Sequence, residues 1–387
     1  MKIFVIARGY PSPKDPTWGC FEKDQAEALY QLGHKVVILS VETRFRFYWR
    51  KLGIQHIKDN HLPAYNIFLF PYSLLFFLPK RIKDYFYAWQ LERVYKRAVN
   101  TYGTPDIIYS HYLMCTRMAV HLRKKYALPL VAMEHWSALN IRPIPKAIRR
   151  LVENTYPYVN QLLAVSEPLK ISILDFQVPT PISVVHNMVS KEFYYTPLTY
   201  DNRPLTFVST GRLVYGKGFD LLIQAFDKIR HQLPPKWKVI IIGGGEEKKA
   251  LQQQINNLNL QGNIQLLGQK NKTEIVQLLQ QSDIFVFPSR GENFSVSVLE
   301  ALACGLPTIA SICGGIRECI DEKNGLLFPV DDVETLASSI IYMTNHLDQY
   351  HRESIAQDCQ ERFSSEVIAK QLTRIFEQAI KNTKENQ

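Results

Sequence analysis

Two glutamates stand eight residues apart in the stretch Pro288-Ser289-Arg290-Gly291-Glu292-Asn293-Phe294-Ser295-Val296-Ser297-Val298-Leu299-Glu300. The apolar run Ile284–Phe287 ahead of it reads as a buried strand that Pro288 ends, and helical periodicity begins near Ser295. Glu292 therefore falls in a loop and Glu300 more than one turn into a helix, so the two carboxylates can face one cleft at different depths. Between them, the free backbone N–H groups of the helix start can receive an anion. Earlier in the chain, Gly211-Arg212-Leu213-Val214-Tyr215-Gly216-Lys217-Gly218-Phe219-Asp220 follows the strand-like run Leu205–Thr210. Its glycines let the loop pass close to a ligand. Arg212 offers a planar fork matched to phosphate oxygens and Lys217 a point charge, and a helix from about Phe219 adds its positive end. Any one of these residues alone is an ordinary surface charge. Set after strand ends, they describe a phosphate site flanked by carboxylates.

Histidines form a weaker third group. His111 follows the strand at 107–110 and His135 the strand at 130–133, so both stand at the C-terminal ends of parallel strands, where doubly wound sheets bind ligands. The devices that are missing narrow the chemistry. No Asp-x-Asp, Ser-His-Asp order or P-loop occurs, and Gly243-Gly244-Gly245-Glu246 lacks the spacing of a dinucleotide fingerprint. No metal site is expected, so cationic side chains and a helix end must carry the charge of a phosphate.

These residues need a scaffold of parallel strands, and the sequence alternates short apolar runs with longer helical patterns in both halves. Strands are predicted at Lys2–Ala7, 36–41, 107–110, 130–133 and 162–165. Six more are predicted at Leu205–Thr210, Trp237–Ile242, 264–267, Ile284–Phe287, 308–310 and 326–328. The chain's 387 residues and its pattern break at 188–203 (Thr196, Pro197, Asp201, Asn202, Pro204) predict two domains, 1–187 and 188–365. An amphipathic helix over 366–387 is expected to pack back on the first.

Charge separates the halves. Residues 1–187 hold 25 Lys+Arg against 13 Asp+Glu, and residues 188–387 hold 21 against 23. The basic first half is expected either to face something anionic or to be a solvated basic surface; its cations come in short separate groups without a nucleic-acid motif, so no nucleic-acid partner is expected. Residues 67–78 (IFLFPYSLLFFL), followed by Lys80 and Arg81, are too short to span a bilayer. They read either as a peripheral contact with anionic lipid or as buried core. The six cysteines form no CxxC pair, and Met1–Ala7 reads as a strand rather than a signal peptide; both features fit a reducing cytoplasm.

The segment Glu292, seven residues, then Glu300-Ala301-Leu302-Ala303-Cys304-Gly305-Leu306-Pro307 resembles the signature of the large family 4 of retaining GT-B glycosyltransferases. Arg212 and Lys217 resemble that family's clamp on the donor diphosphate. The resemblance covers nearly the whole chain, most tightly from 205 to 329. It implies two Rossmann-like domains facing a cleft, with the donor on the second and the acceptor entering along the first. Catalytic roles then fall to Glu292 and His135 on the transferred sugar, with Arg212 and Lys217 on the diphosphate. Donor contacts fall to Gly19, Gly211, Gly243, Gly244, Gln269, Phe294, Ser295, Val296 and Glu300, the last holding the ribose.

Two departures bear on the donor. The family's Glu-Gly-Phe-Gly is here Glu292-Asn293-Phe294-Ser295, and its Gly-Gly is here Trp18-Gly19. Ser166 and Lys170 resemble cleft-facing family residues. The resemblance implies a nucleotide-diphosphate sugar as donor, UDP- or GDP-linked, no required cofactor, and a glycan or lipid-linked acceptor in cell-surface polysaccharide synthesis. A nucleotide-sugar epimerase on the same fold and a non-catalytic sugar-nucleotide binder are the alternatives.

Overall fold

The computed structural model describes residues 1–12, 15, 18–42, 52–58, 62–69, 79–197 and 203–385, with the backbone alone at 80 and 81. The chain divides into two units, Met1–His186 with Ile368–Gln387, and Asn187–Val367.

The first unit carries β1 (Lys2–Ala7), β2 (Lys35–Glu42), β3 (Gly53–Ile57), β4 (Ala64–Phe68), β5 (Ile107–His111), β6 (Leu130–Glu134), β7 (Gln161–Ala164) and β8 (Ile182–Val184). The second carries β9 (Leu205–Thr210), β10 (Trp237–Ile242), β11 (Ile264–Gly268), β12 (Ile284–Phe287), β13 (Thr308–Ser311) and β14 (Gly325–Phe328). In chain order the helices are α1 (Cys20–Gln31), α2 (Lys80–Tyr102), α3 (Tyr112–Tyr126), α4 (Lys146–Glu153) and α5 (Glu167–Leu174). Next come α6 (Phe219–Ile229), α7 (Lys248–Asn257), α8 (Lys272–Gln280), α9 (Val296–Ala303), α10 (Val333–Asn345), α11 (Arg352–Phe363) and α12 (Ser365–Glu385).

The second sheet has the order β11-β10-β9-β12-β13-β14, every pair parallel. This is the doubly wound Rossmann-like arrangement, and its strand order reverses between β9 and β12, opening a crevice at their C-terminal ends. Helices on both faces bury these strands, which is why a sequence such as Ile284–Phe287 (IFVF) reads as an unbroken apolar run. The first sheet, β3-β4-β2-β1-β5-β6-β7-β8, repeats the pattern with its reversal between β1 and β5. It adds β8 at one edge and β3, antiparallel to β4, at the other.

Helix starts follow local chemistry. Asn271 and Glu274 form a reciprocal capping box on α8, and Asp332 accepts from the Thr335 N–H at 2.9 Å to open α10. From Ile368 onward α12 belongs to the first unit. Ile368, Ala369, Leu372, Phe376 and Ala379 form its buried stripe at helical spacing, with Phe376 5.0 Å from the Tyr109 ring. Burying one such aromatic side chain contributes about 1.5–3 kcal/mol.

The aromatic segment 67–78 divides. Ile67 and Phe68 are buried in β4, so they belong to the sheet core and not to a surface strip; residues 70–78 lie outside the described residues. Among the described residues no helix is long and apolar enough to cross a membrane.

Candidate active site

The loop leaving β9 and the loop leaving β12 meet at the switch point of the second sheet. Gly211 donates its N–H to the Ile242 carbonyl (3.0 Å), and the fully buried Leu213 anchors the loop by donating to the Gly244 carbonyl (3.0 Å). A 3₁₀ turn at Tyr215–Lys217 then lifts the chain to Gly218, in the left-handed region at φ 67°. A Cβ on Gly218 would collide with the Pro288 carbonyl at the end of β12, so glycine is what allows the two loops to touch.

Across that contact the Lys217 Nζ forms an ion pair with Glu292 Oε1, both side chains about one-fifth exposed. Arg212, on the same loop, is exposed, and its side chain makes no hydrogen bond or ion pair among the described residues. A cation held by one carboxylate beside a second, unengaged cation is an arrangement that an incoming polyanion can take over.

Arg290 holds the Glu292 loop rigid, and sequence reasoning gave it no role. Its guanidinium donates two parallel hydrogen bonds to Asp220 (2.8 Å each), one to Asp331 (2.6 Å) and one to the Tyr215 carbonyl (2.6 Å), and it lies 3.9 Å over the Tyr215 ring. The Asp220 hydrogen bonds lead in pushing its already high pKa further up, so it is a permanent structural cation. Ser289 Oγ donates to the Gly216 and Gly291 carbonyls (3.1 and 3.2 Å). On the far side the Gly315 N–H donates to the Asn293 carbonyl (2.8 Å).

The remaining donor-site residues of the second unit divide into two kinds. Glu300 is half-buried on α9, and Val296 opens that helix, whose first N–H groups lack intrahelical acceptors. Gly243 donates to the Gly268 carbonyl (2.9 Å), and a Cβ on it would collide with the Gly211 carbonyl. Gly244 lies beside Gln269, which is exposed, so the ends of β9, β10 and β11 form one continuous rim. By contrast, Phe294 is 4% exposed and packs against Phe363 at 5.7 Å. Its ring is core, and what it offers outward is backbone; its carbonyl already accepts from Asn187 Nδ2 (2.9 Å). Ser295 is likewise buried, its Oγ paired with Ser297 Oγ at 2.9 Å.

In the first unit, Arg8 follows the end of β1 and His111 ends β5, on either side of the other switch point. Arg8 pairs with the fully buried Glu22 (2.7 Å) and is covered by the rings of Tyr112 (3.7 Å) and Trp18 (4.8 Å). Burial alone would push the Glu22 carboxyl up; the Arg8 charge and hydrogen bond outweigh it and bring the pKa below the usual carboxylate value. His111 is wholly buried, and burial lowers its pKa to about 4, so its imidazole is neutral near pH 7.

The His111 Nδ1 lies 3.3 Å from His135 Nε2, while its own Nε2 is buried without a partner. An unpartnered lone pair costs less than an unpartnered N–H, so the proton belongs on His111 Nδ1, which donates to His135 and leaves the His135 proton on Nδ1. Glu134 fixes the His135 backbone. Buried, it accepts from the N–H groups of Leu113, His135 and Trp136 and from the Tyr156 hydroxyl (2.6–2.8 Å).

Gly19, at φ 80°, caps α1, and a Cβ there would collide with the Gly9 carbonyl; that alone requires glycine. Ser166 is buried as the cap of α5, accepting from Leu169 N–H, and Lys170 pairs with Glu167 on the same helix. Both take part in the N-terminal turn of α5.

Comparisons with known proteins bear on this geometry. The family described as Glycosyltransferase Family 4 matches residues 23–193, and Glycosyl transferases group 1 matches residues 191–358. The chain is 26% identical over 387 residues to the putative teichuronic acid biosynthesis glycosyltransferase TuaC of Bacillus subtilis, covering 95% of each chain. It is 30% identical over 196 residues to the N,N'-diacetylbacillosaminyl-diphospho-undecaprenol alpha-1,3-N-acetylgalactosaminyltransferase of Campylobacter jejuni, half of this chain and 49% of that one. Anabaena HepE in complex with UDP-glucose shares the fold, with a TM-score of 0.70 at 20% identity over 98% of this chain and 100% of that one. With one glycosyltransferase family matching each Rossmann-like unit, and a full-length relative in the same class, the chain belongs to the family 4 type of GT-B glycosyltransferases.

Proposed function

We propose that this glycosyltransferase takes its sugar from a nucleotide diphosphate, UDP or GDP, and delivers it with retained anomeric configuration and without a metal ion. The acceptor is a hydroxyl of a glycan or lipid-linked glycan in the synthesis of cell-surface polysaccharide. The observation that carries this reading is the Lys217–Glu292 ion pair at the switch point of the second sheet, with the uncommitted Arg212 on the same loop. The UDP-glucose held by HepE supports the donor class, and the diphospho-undecaprenol in the Campylobacter enzyme's name supports the acceptor class.

An arriving diphosphate draws Lys217 off Glu292 and recruits Arg212, while the N–H groups at the start of α9 receive a phosphate oxygen. Glu292, released from its cation, accepts hydrogen bonds from hydroxyls of the transferred sugar, and Glu300 accepts from the ribose. His135, with its proton on Nδ1, donates to the transferred sugar. The acceptor oxygen bonds to the anomeric carbon on the face from which the leaving group departs. The bond from that carbon to the phosphate oxygen breaks, its electron pair stays on the phosphate, and that oxygen takes the acceptor's proton. Arg212 and Lys217 stabilise the growing charge; preorganised donors of this kind are worth on the order of 10²–10³ in rate each. The excess of basic residues in the first half of the chain supports a cytoplasmic location, peripheral at the inner face of the membrane.

A panel of UDP-, GDP- and ADP-sugars in EDTA, read by thermal stabilisation and slow donor hydrolysis, tests the reading. One or two sugar nucleotides should stabilise the protein and be hydrolysed. No stabilisation by any, or release of an epimerised sugar nucleotide, would overturn it.

A further inference from the structure

The chain enters the second unit at Asn187 and leaves it after Val367, and the stretches beside these two crossings run together. Val189 donates its N–H to the Phe363 carbonyl (2.9 Å) and pairs in parallel with Ser364. Both stretches grip one residue of the Glu292 loop. Asn187 Nδ2 donates to the Phe294 carbonyl (2.9 Å) across 107 residues of sequence. The ring of Phe363, which ends α11, lies 5.7 Å from the buried Phe294 ring.

What this grip fixes is a direction. A trans peptide is planar, so its C=O and the N–H that follows it point opposite ways. With the Phe294 carbonyl turned toward Asn187, the Ser295 N–H is turned away from it. The Asn293 carbonyl, taken by the Gly315 N–H, fixes the preceding peptide in the same manner. Ser295 occupies the N-cap of α9, where a serine hydroxyl ordinarily accepts from the first turn of the helix. Here its Oγ is paired with Ser297 Oγ instead and makes no cap. The N–H groups of Ser295 and Val296 have no acceptor among the described residues. An uncapped helix start with the carbonyl beside it turned away is set to receive an anion. Rotation of the Phe294–Ser295 peptide would reverse this and put a carbonyl oxygen where the phosphate arrives.

We propose that Asn187 is a positioning residue for sugar transfer: from the crossing segment it locks the Phe294–Ser295 peptide so that the Ser295 N–H and the start of α9 face the donor diphosphate. Asn187 acts through Phe294 and not on the substrate itself. This rests on the reading of a nucleotide-diphosphate donor and adds to it the residue that holds the phosphate-receiving backbone in its binding direction. Charge on the leaving phosphate grows toward the transition state, so the same N–H groups count for more there than in the bound donor. Losing their direction therefore falls on kcat as well as on affinity.

The test titrates the full chain with UDP and GDP, and with uridine and guanosine as the same bases without phosphate. Asn187→Asp keeps the shape of the side chain but cannot donate to a carbonyl, and Asn187→Ala removes the side chain without adding charge. Both variants should bind the preferred nucleoside diphosphate at least tenfold more weakly and the matching nucleoside as the wild type does. Both should hydrolyse the corresponding UDP- or GDP-sugar with kcat reduced at least tenfold. Hydrogen exchange gives the local readout: saturating diphosphate should protect the Ser295 and Val296 amides in the wild type and far less in the variants. A lower melting temperature with diphosphate affinity and protection intact would make Asn187 a support for the fold and overturn the proposal. Equal losses for nucleoside and diphosphate would overturn it too. Wild type that binds neither UDP nor GDP retires the donor reading and this role with it. Wild-type binding that both variants retain retires the role of Asn187 alone.

Discussion

Both sheets reverse their strand order at one point, yet they furnish that point with opposite chemistry. In the second unit it holds an exposed arginine, a lysine one-fifth exposed and a rim of glycines. In the first it holds a wholly buried Glu22 whose partner Arg8, about as exposed as Lys217, is covered by aromatic rings, and a buried neutral histidine. Topology supplies the crevice in each case; side chains decide its use. Charge left accessible can bind a polyanion and respond to it. Charge paired with a wholly buried carboxylate and covered by rings contributes position instead.

The contrast breaks most visibly at the two arginines. Arg8→Ala leaves Glu22 buried and unpaired, which costs about 3–5 kcal/mol and should lower the melting temperature by many degrees. Arg212→Ala should leave the melting temperature within error, since its exposed side chain makes no hydrogen bond or ion pair among the described residues. The two exchanging behaviour, Arg8→Ala stable and Arg212→Ala unfolded, would mean the roles are reversed.

Activity sharpens the same comparison. Lys217→Ala and Arg212→Ala should each lower kcat by roughly 10²–10³, or about 2.7–4 kcal/mol, with the fold intact. Near-wild-type turnover in both, measured with a true acceptor, would remove the diphosphate from this loop.

His111 gives the first unit a pH signature. Its folded pKa of about 4 lies below the unfolded value of 6.5, so between those pH values the unfolded chain binds the extra proton. Stability from the neutral histidine is therefore complete above about pH 6.5 and is lost as pH falls toward 4, by about 3 kcal/mol in all. Melting temperatures across pH 4–7 should show this slope in the wild type and a shallower one in His111→Asn. Parallel slopes would assign the titration elsewhere.

How much of this was legible in the sequence follows from the same physics. Strands buried on both faces are rich in apolar and β-branched residues, so Leu205–Thr210, Trp237–Ile242 and Ile284–Phe287 were found at their observed bounds. Three strands were not found. Gly53–Ile57 is a half-exposed edge strand, Ile182–Val184 has three residues, and Ala64–Phe68 merges into an aromatic run that masks its end. The placement of Arg212, Lys217 and Glu292 on the loops after β9 and β12 was legible because each follows a strand end. Arg290 was not, since its partners Asp220 and Asp331 lie 70 and 41 residues away and no local spacing points to them. Nor did the sequence distinguish Phe294 as core from Phe294 as ligand contact, because Phe363, which covers it, comes from α11.

The smallest expected effect concerns the units' charges as wholes. The first half of the chain carries 25 Lys+Arg against 13 Asp+Glu and the second 21 against 23, so only the first should be drawn to an anionic bilayer. With Ile67 and Phe68 committed to the sheet, the segment 70–78 with Lys80 and Arg81 remains the candidate contact. Each basic residue near such a surface contributes roughly 1 kcal/mol, and the attraction decays over a Debye length of about 10 Å at 0.1 M salt. Co-sedimentation with vesicles containing phosphatidylserine should therefore show weak, reversible binding at low salt that falls steeply as salt rises. Lys80→Gln/Arg81→Gln should reduce it by roughly tenfold or more, as two such charges imply. A matching pair of neutralisations in the second unit, Lys248→Gln/Lys249→Gln, should change nothing. Equal binding to neutral vesicles, or equal losses from the two pairs, would return the aromatic segment to the protein core and leave the charge difference between the units without a membrane role.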